Sequence, residues 1–242
     1  MKLTINQIKE IKKYPNSIYD DIKIEFNYHS NKIEGSTFTR QELIKCLKDR
    51  VIEGSHKIDD VFESINSLNL FDFVVDTLGE ALTKKLILEF HIILKKNILD
   101  EELGFSGVWK KIPNMITGSL VQLAQPWEVD IRIEELLNWW ESSEKTFKDI
   151  ARFHSDFEKI HPFQDGNGRV GRVIMLKQCI ESNESLIAID EQYNVEYKRS
   201  LLESQMSGNF EPLEIVLRKC QNFLEEKNEL LKNTLKCLEN CK

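Results

Sequence analysis

Several features that would place this chain in a membrane or in a secretory compartment are missing from its sequence. No stretch of the 242 residues approaches the apolar length that a membrane span needs. The first ten residues, MKLTINQIKE, lack the apolar centre of a signal peptide. The sequence therefore predicts a cytoplasmic protein with no membrane partner.

Disulfides, metal motifs and a basic stripe are also lacking. The five cysteines are odd in number and form no CxxC pair, so we expect free thiols. The net charge is −7 and the basic residues are scattered, which argues against a nucleic acid as the main partner. The remaining composition, with 41% hydrophobic and 30% charged residues, is typical of a globular domain with a continuous core.

Apolar residues recur with helical spacing along most of the chain. Short breakers such as Tyr14-Pro15-Asn16 and Gln125-Pro126 separate the helical stretches, and no long linker interrupts them. Both observations predict an all-α fold in a single domain over residues 1–242. The clearest stripes are Leu86, Ile87, Phe90, Ile93 and Leu94, then Leu136, Leu137 and Trp140, and then Ile150, Phe153, Phe157 and Ile160.

One segment departs from the helical spacing. Residues 108–119, VWKKIPNMITGS, combine β-branched residues with a proline and a Gly-Ser end. This composition favours extended backbone and a turn over a helix. We therefore expect a short β-hairpin with an edge strand between Val108 and Ser119.

Residue types suited to phosphate chemistry are concentrated in residues 161–172, HPFQDGNGRVGR. The turn-forming Gly166-Asn167-Gly168 lies between two helical patterns, and so at the start of a helix. There, residues that tolerate positive φ can point successive backbone amides at an anion, and the helix dipole adds to the attraction. Arg169 and Arg172 are three residues apart, so both guanidinium groups project from one face of the first turn toward the same anion.

Two further side chains extend this site toward catalysis. Asp165 supplies a hard oxygen ligand for Mg²⁺ that is shared with substrate phosphates. His161 ends the preceding helical pattern and is suited to accept a hydroxyl proton near neutral pH. A single histidine or a single Asp-Gly is more often structural. Together with the arginines and the glycines, however, they indicate attack of a hydroxyl group on a nucleotide phosphate.

The same twelve residues match the signature His-Pro-Phe-x-(Asp/Glu)-Gly-Asn-Gly-Arg-x-x-Arg of the Fic family at every specified position. The chain resembles this family roughly from Ser30 to Leu213. The resemblance implies an all-α Fic helical fold with a short β-hairpin flap. It also implies N-terminal helices over residues 1–50, a Fic core over 51–215 and a C-terminal helical extension over 216–242.

For function, the resemblance implies transfer of AMP from ATP to a Ser, Thr or Tyr hydroxyl of a protein, including the enzyme itself. ATP is then the substrate and Mg²⁺ the cofactor, and a homo-oligomer is possible. In this implied scheme His161 is the general base and Asp165 is the Mg²⁺ ligand. Gly166, Asn167 and Gly168 bind the α- and β-phosphates. Arg169 binds the pyrophosphate side, and Arg172 binds the γ-phosphate.

A second motif, SNKIEG at residues 30–35, resembles the family's inhibitory motif Ser/Thr-x-x-x-Glu-Gly/Asn. Ser30 and Glu34 share a helix face, and Gly35 can end that helix. By themselves these residues are typical of an ordinary surface turn. The resemblance implies that Glu34 pairs with Arg172 and prevents productive binding of ATP. The same carboxylate near the α-phosphate could instead align a water and remove AMP, so a de-AMPylase remains an alternative.

Residues for the two substrates are also implied by the resemblance. Ile116, Thr117 and Gly118 fall in the flap, which would pair with the main chain of a target protein. Tyr193 and Tyr197 are candidates for contacting adenine, although the family's Tyr-Tyr pair usually comes slightly later. Neither the target nor the preferred nucleotide follows from these residues.

Three other functions compete with AMP transfer. A catalytically silent interaction module would have no need of His161, Asp165 and both arginines. A DNA-binding regulator would need a recognition domain, and the roughly thirty residues after Pro212 show no basic recognition helix. Transfer of another phosphate-containing group on the same fold stays open, although the complete pair of arginines favours AMP.

Overall fold

The computed structural model of the protein describes residues 2–115, 121–222 and 228–240. In these ranges the only paired β contact is an isolated bridge between Lys2 and Ser185. The prediction of an all-α fold is confirmed for them. Twelve α-helices occupy most of this backbone: α1 (Ile5–Ile11), α2 (Ile18–Ile33), α3 (Arg40–Lys48), α4 (Ile58–Asp76), α5 (Lys84–Leu94), α6 (Leu99–Glu102), α7 (Val129–Ser142), α8 (Phe147–Ile160), α9 (Asn167–Glu181), α10 (Glu191–Ser207), α11 (Glu211–Lys219) and α12 (Asn228–Asn240).

Side-chain caps fix where several helices begin. Each capping oxygen accepts a hydrogen bond from a backbone N–H of the first turn, which contributes about 1 kcal/mol per cap. In α8, Thr146 and Asp149 cap each other's backbone reciprocally, so the register of the helix that leads into residues 161–172 is set locally. The residues with such caps are Thr4, Ser17, Thr39, Thr83, Thr146 and Asp190.

The central element of the fold is α9, which is buried on almost every side. A helix with no solvated face belongs in the interior, and α9 contacts α2, α4, α5 and α8. The side chain of Lys177 is also fully buried there, because its ammonium group donates to the Thr77 carbonyl and pairs with Glu181. The N-terminus of α9 therefore lies where four other helices converge.

The predicted hairpin is not found in the part of its range that the structure describes. Residues 108–115 contain no strand, and Ile116, Thr117 and Gly118 lie outside the described residues. Backbone groups that a strand would pair are used elsewhere: the Lys110 amide donates to the Pro162 carbonyl at 2.8 Å. This segment therefore packs on residues 161–164 instead of on a neighbouring strand.

The C-terminal residues continue the helical architecture. The predicted boundary between residues 215 and 216 falls inside α11, and α12 contacts α2 near the start of the chain. Of the helices within the described ranges, none has both the length and the apolar composition to cross a membrane. The division into N-terminal helices, core and extension stays a prediction.

Candidate active site

The loop between α8 and α9 is shaped by two left-handed residues. His161 ends α8 with φ 52° and ψ 61°, and Gly166 precedes α9 with φ 81°. A non-glycine residue with positive φ is strained, and such strain occurs preferentially at functional sites. The two turns bring the end of α8 and the positive end of the α9 dipole to the same loop.

His161 is held in the tautomer that a general base requires. Its Nδ1 lies 3.3 Å from the Glu158 carbonyl, which only accepts, so the proton is on Nδ1 and Nε2 keeps its lone pair. The side chain is half-buried, and this burial lowers the pKa of His161 to about 4. The imidazole is therefore neutral near pH 7 and can accept a proton.

The side chain of Asn167 is engaged within the loop itself. Its Oδ1 accepts from the Phe163 amide at 2.7 Å, and its Nδ2 donates to the Phe163 carbonyl at 2.9 Å. Asn114 donates to the same carbonyl at 2.9 Å. With both ends of a buried amide engaged, the Asn167 side chain fixes the shape of the loop, and its contact with the phosphates stays a prediction.

Asp165 is anchored by two cations. Lys95 pairs with its Oδ2, and Arg169 contacts the same oxygen at 3.2 Å. Burial would raise the pKa of Asp165, but Lys95 and Arg169 hold it at about 2. Neither ion pair uses Oδ1, and the side chain is 59% exposed. The carboxylate therefore presents an ionised oxygen toward solvent.

His91 positions the backbone beside this carboxylate. Its Nδ1 accepts from the Gly107 amide at 3.0 Å, so Nε2 carries the proton and donates to the Asp165 carbonyl at 3.0 Å. The ring also stacks on Phe163 with centroids 3.8 Å apart. Burial lowers the pKa of His91 to about 3, which keeps this tautomer neutral.

The two arginines of α9 are buried, and each is paired with a carboxylate from the N-terminal half of the chain. Arg169 contacts Glu63 of α4 at 2.7 Å. Arg172 contacts Glu34 at 2.6 Å, and it also donates to the hydroxyl of Ser30 at 2.8 Å and to its carbonyl at 3.0 Å. Both arginine residues are at most 5% exposed. The predicted contact between Glu34 and Arg172 is present, whereas that between Glu63 and Arg169 was not foreseen.

Gly168 makes the approach of Glu34 possible. A Cβ atom at this position would lie 2.5 Å from Glu34 Oε1 and 2.9 Å from Arg172 Nη1, closer than real Cβ atoms come to their neighbours. The glycine therefore serves two purposes: it belongs to the turn-forming residues at the start of α9, and it leaves room for the carboxylate above them.

Beneath α9 lies a buried acid that the sequence did not single out. A Cβ atom on Gly171 would come within 2.4 Å of Glu158 Oε1, and this oxygen has no hydrogen-bond partner among the described residues. Burial raises the pKa of Glu158 to about 8, and Arg172 only partly offsets this effect. Glu158 is therefore protonated and uncharged at neutral pH.

The adenine candidates differ in their exposure. Tyr197 is 2% exposed, and its hydroxyl group hydrogen-bonds His154 Nε2 at 2.7 Å inside the core. Its ring is not available to a base, so this part of the adenine prediction is wrong. Tyr193 is half-buried, and its contact with adenine stays a prediction.

Comparisons with known proteins relate part of this chain to one family. Residues 81–179 match the Fic/DOC family. A probable protein adenylyltransferase of Aquifex aeolicus is 36% identical over 77 residues, 31% of this chain and 24% of that protein. The protein adenylyltransferase Fic of Aedes aegypti is 25% identical over 181 residues, 72% of this chain and 35% of that protein. The chain thus spans about a third or less of the length of these relatives.

Solved structures share the arrangement of the helices. A Fic domain containing signaling protein from Bacteroides thetaiotaomicron superposes with a TM-score of 0.76 at 22% identity, over 95% of this chain and 98% of that chain. Fic-1 from C. elegans gives 0.70 at 18% identity, over 98% and 71%. The chain is therefore a protein of the Fic fold. The signature loop and α9 as far as Cys179 lie within the range that matches the Fic/DOC family.

Proposed function

We propose that this protein transfers AMP from ATP to a Ser, Thr or Tyr hydroxyl of a protein. The observation that carries the proposal is His161, whose Nδ1 is tied to the Glu158 carbonyl and whose Nε2 is free to accept a proton beside the N-terminus of α9. The names of the relatives from Aquifex aeolicus and Aedes aegypti support the same activity.

In the proposed reaction, the oxygen of the target's hydroxyl group attacks the α-phosphorus. Nε2 of His161 accepts the proton of that hydroxyl group as the new bond forms. The bond from that phosphorus to the bridging oxygen breaks, and pyrophosphate leaves. Negative charge moves onto the leaving group, and a buried cation such as Arg169 stabilises it without reorganising. The backbone amides at the start of α9 and its dipole favour the same phosphates.

Asp165 is the residue that fits Mg²⁺. Its side chain is ionised and 59% exposed, and neither of its ion pairs uses Oδ1. Mg²⁺ in nucleotide sites is held by one or two carboxylates and by substrate phosphates. Within the described ranges no group of three or more His, Cys, Asp or Glu is arranged to hold a metal. When bound, Mg²⁺ would neutralise phosphate charge.

The position of a label in ATP tests the transfer. With α-labelled ATP we expect label and the mass of AMP on the protein, and with γ-labelled ATP we expect neither. His161→Ala should lower the rate by about 10² to 10⁴, because a positioned base contributes that much. Asn183→Ala, at a turn after α9, is a matched surface control. Label from the γ position would instead indicate a kinase-like transfer.

The proposal includes a brake formed by Glu34. Arg172 cannot bind a phosphate with the Nη2 that it shares with Glu34 and Ser30. Glu34 directly follows the last residue of α2, and a cleft of about 230 Å³ lies beside it and Arg169. A carboxylate at a helix end beside open space can move without unfolding the helix, so ATP can displace it.

A second activity at the same site would be removal of AMP from a modified protein. Glu34 is the observation that favours it, because this carboxylate lies close to the start of α9 and is ionised: despite burial, Arg172 and Arg169 lower its pKa. The test is loss of AMP from a purified modified target. Loss that continues unchanged in Glu34→Ala would contradict this role.

A further inference from the structure

Lys95 is a buried cation in the middle of the candidate active site, and the transfer reaction proposed above gives it no role. It directly follows α5, and its side chain is only 1% exposed. A lysine is rarely buried unless its ammonium group is paired. The groups around Lys95 must therefore compensate the charge of its ammonium group.

Three carboxylates surround the ammonium group of Lys95. Glu63 Oε1 lies at 3.0 Å, Asp100 Oδ2 at 2.7 Å, and Asp165 Oδ2 is also in contact. These acids come from α4, α6 and the loop before α9, so no single element creates the cluster. Lys95 therefore joins the N-terminal half of the chain to the signature loop.

The charges of this cluster nearly balance. Arg169 adds a second cation, which contacts both Glu63 and Asp165. Three carboxylates and two cations leave one net negative charge. Without Lys95 the same cluster would carry two, and three carboxylates would face the volume that the ammonium group now fills. Oxygen ligands of this kind are those that Mg²⁺ and Mn²⁺ prefer.

The backbone around Lys95 is fixed as well. Asn66 donates to the carbonyls of Leu94 and Lys96, at 3.1 and 2.6 Å. A Cβ atom on Gly166 would lie 3.0 Å from Lys95 Cε, so the lysine chain passes directly under the loop. The ammonium group is thus fixed in one position, and it holds Asp165 in one orientation.

We propose that Lys95 is a positioning residue which acts as a resident cation: it orients Asp165 and prevents the carboxylate cluster from binding a divalent ion without nucleotide. Phosphates bring the additional negative charge that a divalent ion needs, so Asp165 takes up the ion together with the nucleotide. The inference rests on the proposed function for the identity of the nucleotide, but the behaviour of the cluster toward a metal ion alone does not depend on it.

The test is titration of the nucleotide-free protein with Mn²⁺ alone. Binding is measured by the electron paramagnetic resonance signal of free Mn²⁺ and by the shift in Tm. Wild type should show no binding that depends on Asp165. Lys95→Met should bind Mn²⁺ at least tenfold more tightly than wild type, and Lys95→Met/Asp165→Asn should lose most of that gain. Lys177→Met is the matched control, because it removes another buried lysine without creating a cluster.

Two results would overturn the inference. One is Mn²⁺ binding by nucleotide-free wild type that Asp165→Asn abolishes, which needs no Lys95 variant to fold. The other is a folded Lys95→Met that binds Mn²⁺ no better than Lys177→Met does. Transfer of AMP is not measured in either case, so failure of the Lys95 inference and failure of the proposed function are separate outcomes.

Discussion

Two ion pairs at the start of α9 look alike and differ in what holds their acids. Arg169 with Glu63 and Arg172 with Glu34 have similar lengths, 2.7 and 2.6 Å, and both arginines are buried. Glu63 lies within the 19-residue helix α4 and also pairs with Lys95, whereas Glu34 caps the end of α2 and its side chain is 35% exposed.

The two pairs differ in the cost of moving each carboxylate away from its arginine. Moving Glu63 would disturb a long helix and leave part of the charge of Lys95 uncompensated. Moving Glu34 changes only a helix end, which is followed by Gly35 with φ 88°, and Arg172 keeps its hydrogen bonds to Ser30. We therefore expect the Glu63 pair to stabilise the fold and the Glu34 pair to regulate access to Arg172.

The largest expected effect is on stability. Glu63→Gln should lower the free energy of unfolding by about 3 kcal/mol, because loss of one partner leaves buried cations uncompensated. Glu34→Gln should cost no more than about 1 kcal/mol, because the Glu34 side chain is 35% exposed and pairs with one cation instead of two, and because Arg172 keeps its hydrogen bonds to Ser30. Urea denaturation of both variants measures this. Equal losses would remove the distinction between the two pairs.

The next effect is on nucleotide affinity. With transfer blocked by His161→Ala, Glu34→Gln should bind Mg²⁺ and ATP about tenfold more tightly, a gain of about 1.4 kcal/mol, because the phosphates no longer compete with a carboxylate for Arg172. Isothermal titration calorimetry measures the affinity. In the same background Glu63→Gln should bring no such gain, and a gain in both variants would mean that the carboxylates act only by their charge.

Glu158 is a third acid near Arg172, and unlike Glu34 and Glu63 it carries no charge near pH 7. Its pKa is raised from 4.5 to about 8, so on going from pH 4.5 to 8 the unfolded state releases a proton that the folded state keeps. Wild type then loses up to about 1.4 kcal/mol of stability per pH unit from this group. Glu158→Gln removes that loss, and its Tm relative to wild type should rise from pH 6 to pH 8. A constant difference would contradict the assignment.

The smallest expected effect is that of pH on the activity of Glu34→Gly, the variant that lacks the brake. Because burial lowers the pKa of His161 from 6.5 to about 4, the neutral imidazole persists as the pH falls through 6. The kcat/KM of Glu34→Gly should therefore change by less than about twofold between pH 7.5 and 6. A profile that falls by half near pH 6.5 would show that the base titrates at its ordinary value.

The sequence was informative where function is encoded locally. Residues 161–172 carry the turn, the base and the arginines within one segment, and the family resemblance predicted that Glu34 would meet Arg172, 138 positions away. The signature segment and the Glu34–Arg172 contact both depend on residue types that few other roles require. The all-α architecture followed from apolar spacing alone.

Other features could not be predicted because they depend on packing between distant elements. Lys95 continues the apolar face of α5, which is unusual for a lysine, but its three acids come from segments that the sequence does not connect. Tyr197 was expected to face adenine, and the packing of α10 on α8 turns it toward His154 instead. Asn167 has a side chain suited to phosphate, and only the folded loop shows that it is already engaged.

The distinction between the two ion pairs is tested most directly by the rate of AMP transfer from α-labelled ATP in Glu34→Gly and Glu63→Gln, assayed side by side with wild type at a temperature where all three are folded. We expect a rate at least about tenfold above wild type in Glu34→Gly, equivalent to about 1.4 kcal/mol, and no increase in Glu63→Gln. Equal rates in Glu34→Gly and wild type, or a similar increase in both variants, would contradict the claim that only one of the two ion pairs is a brake.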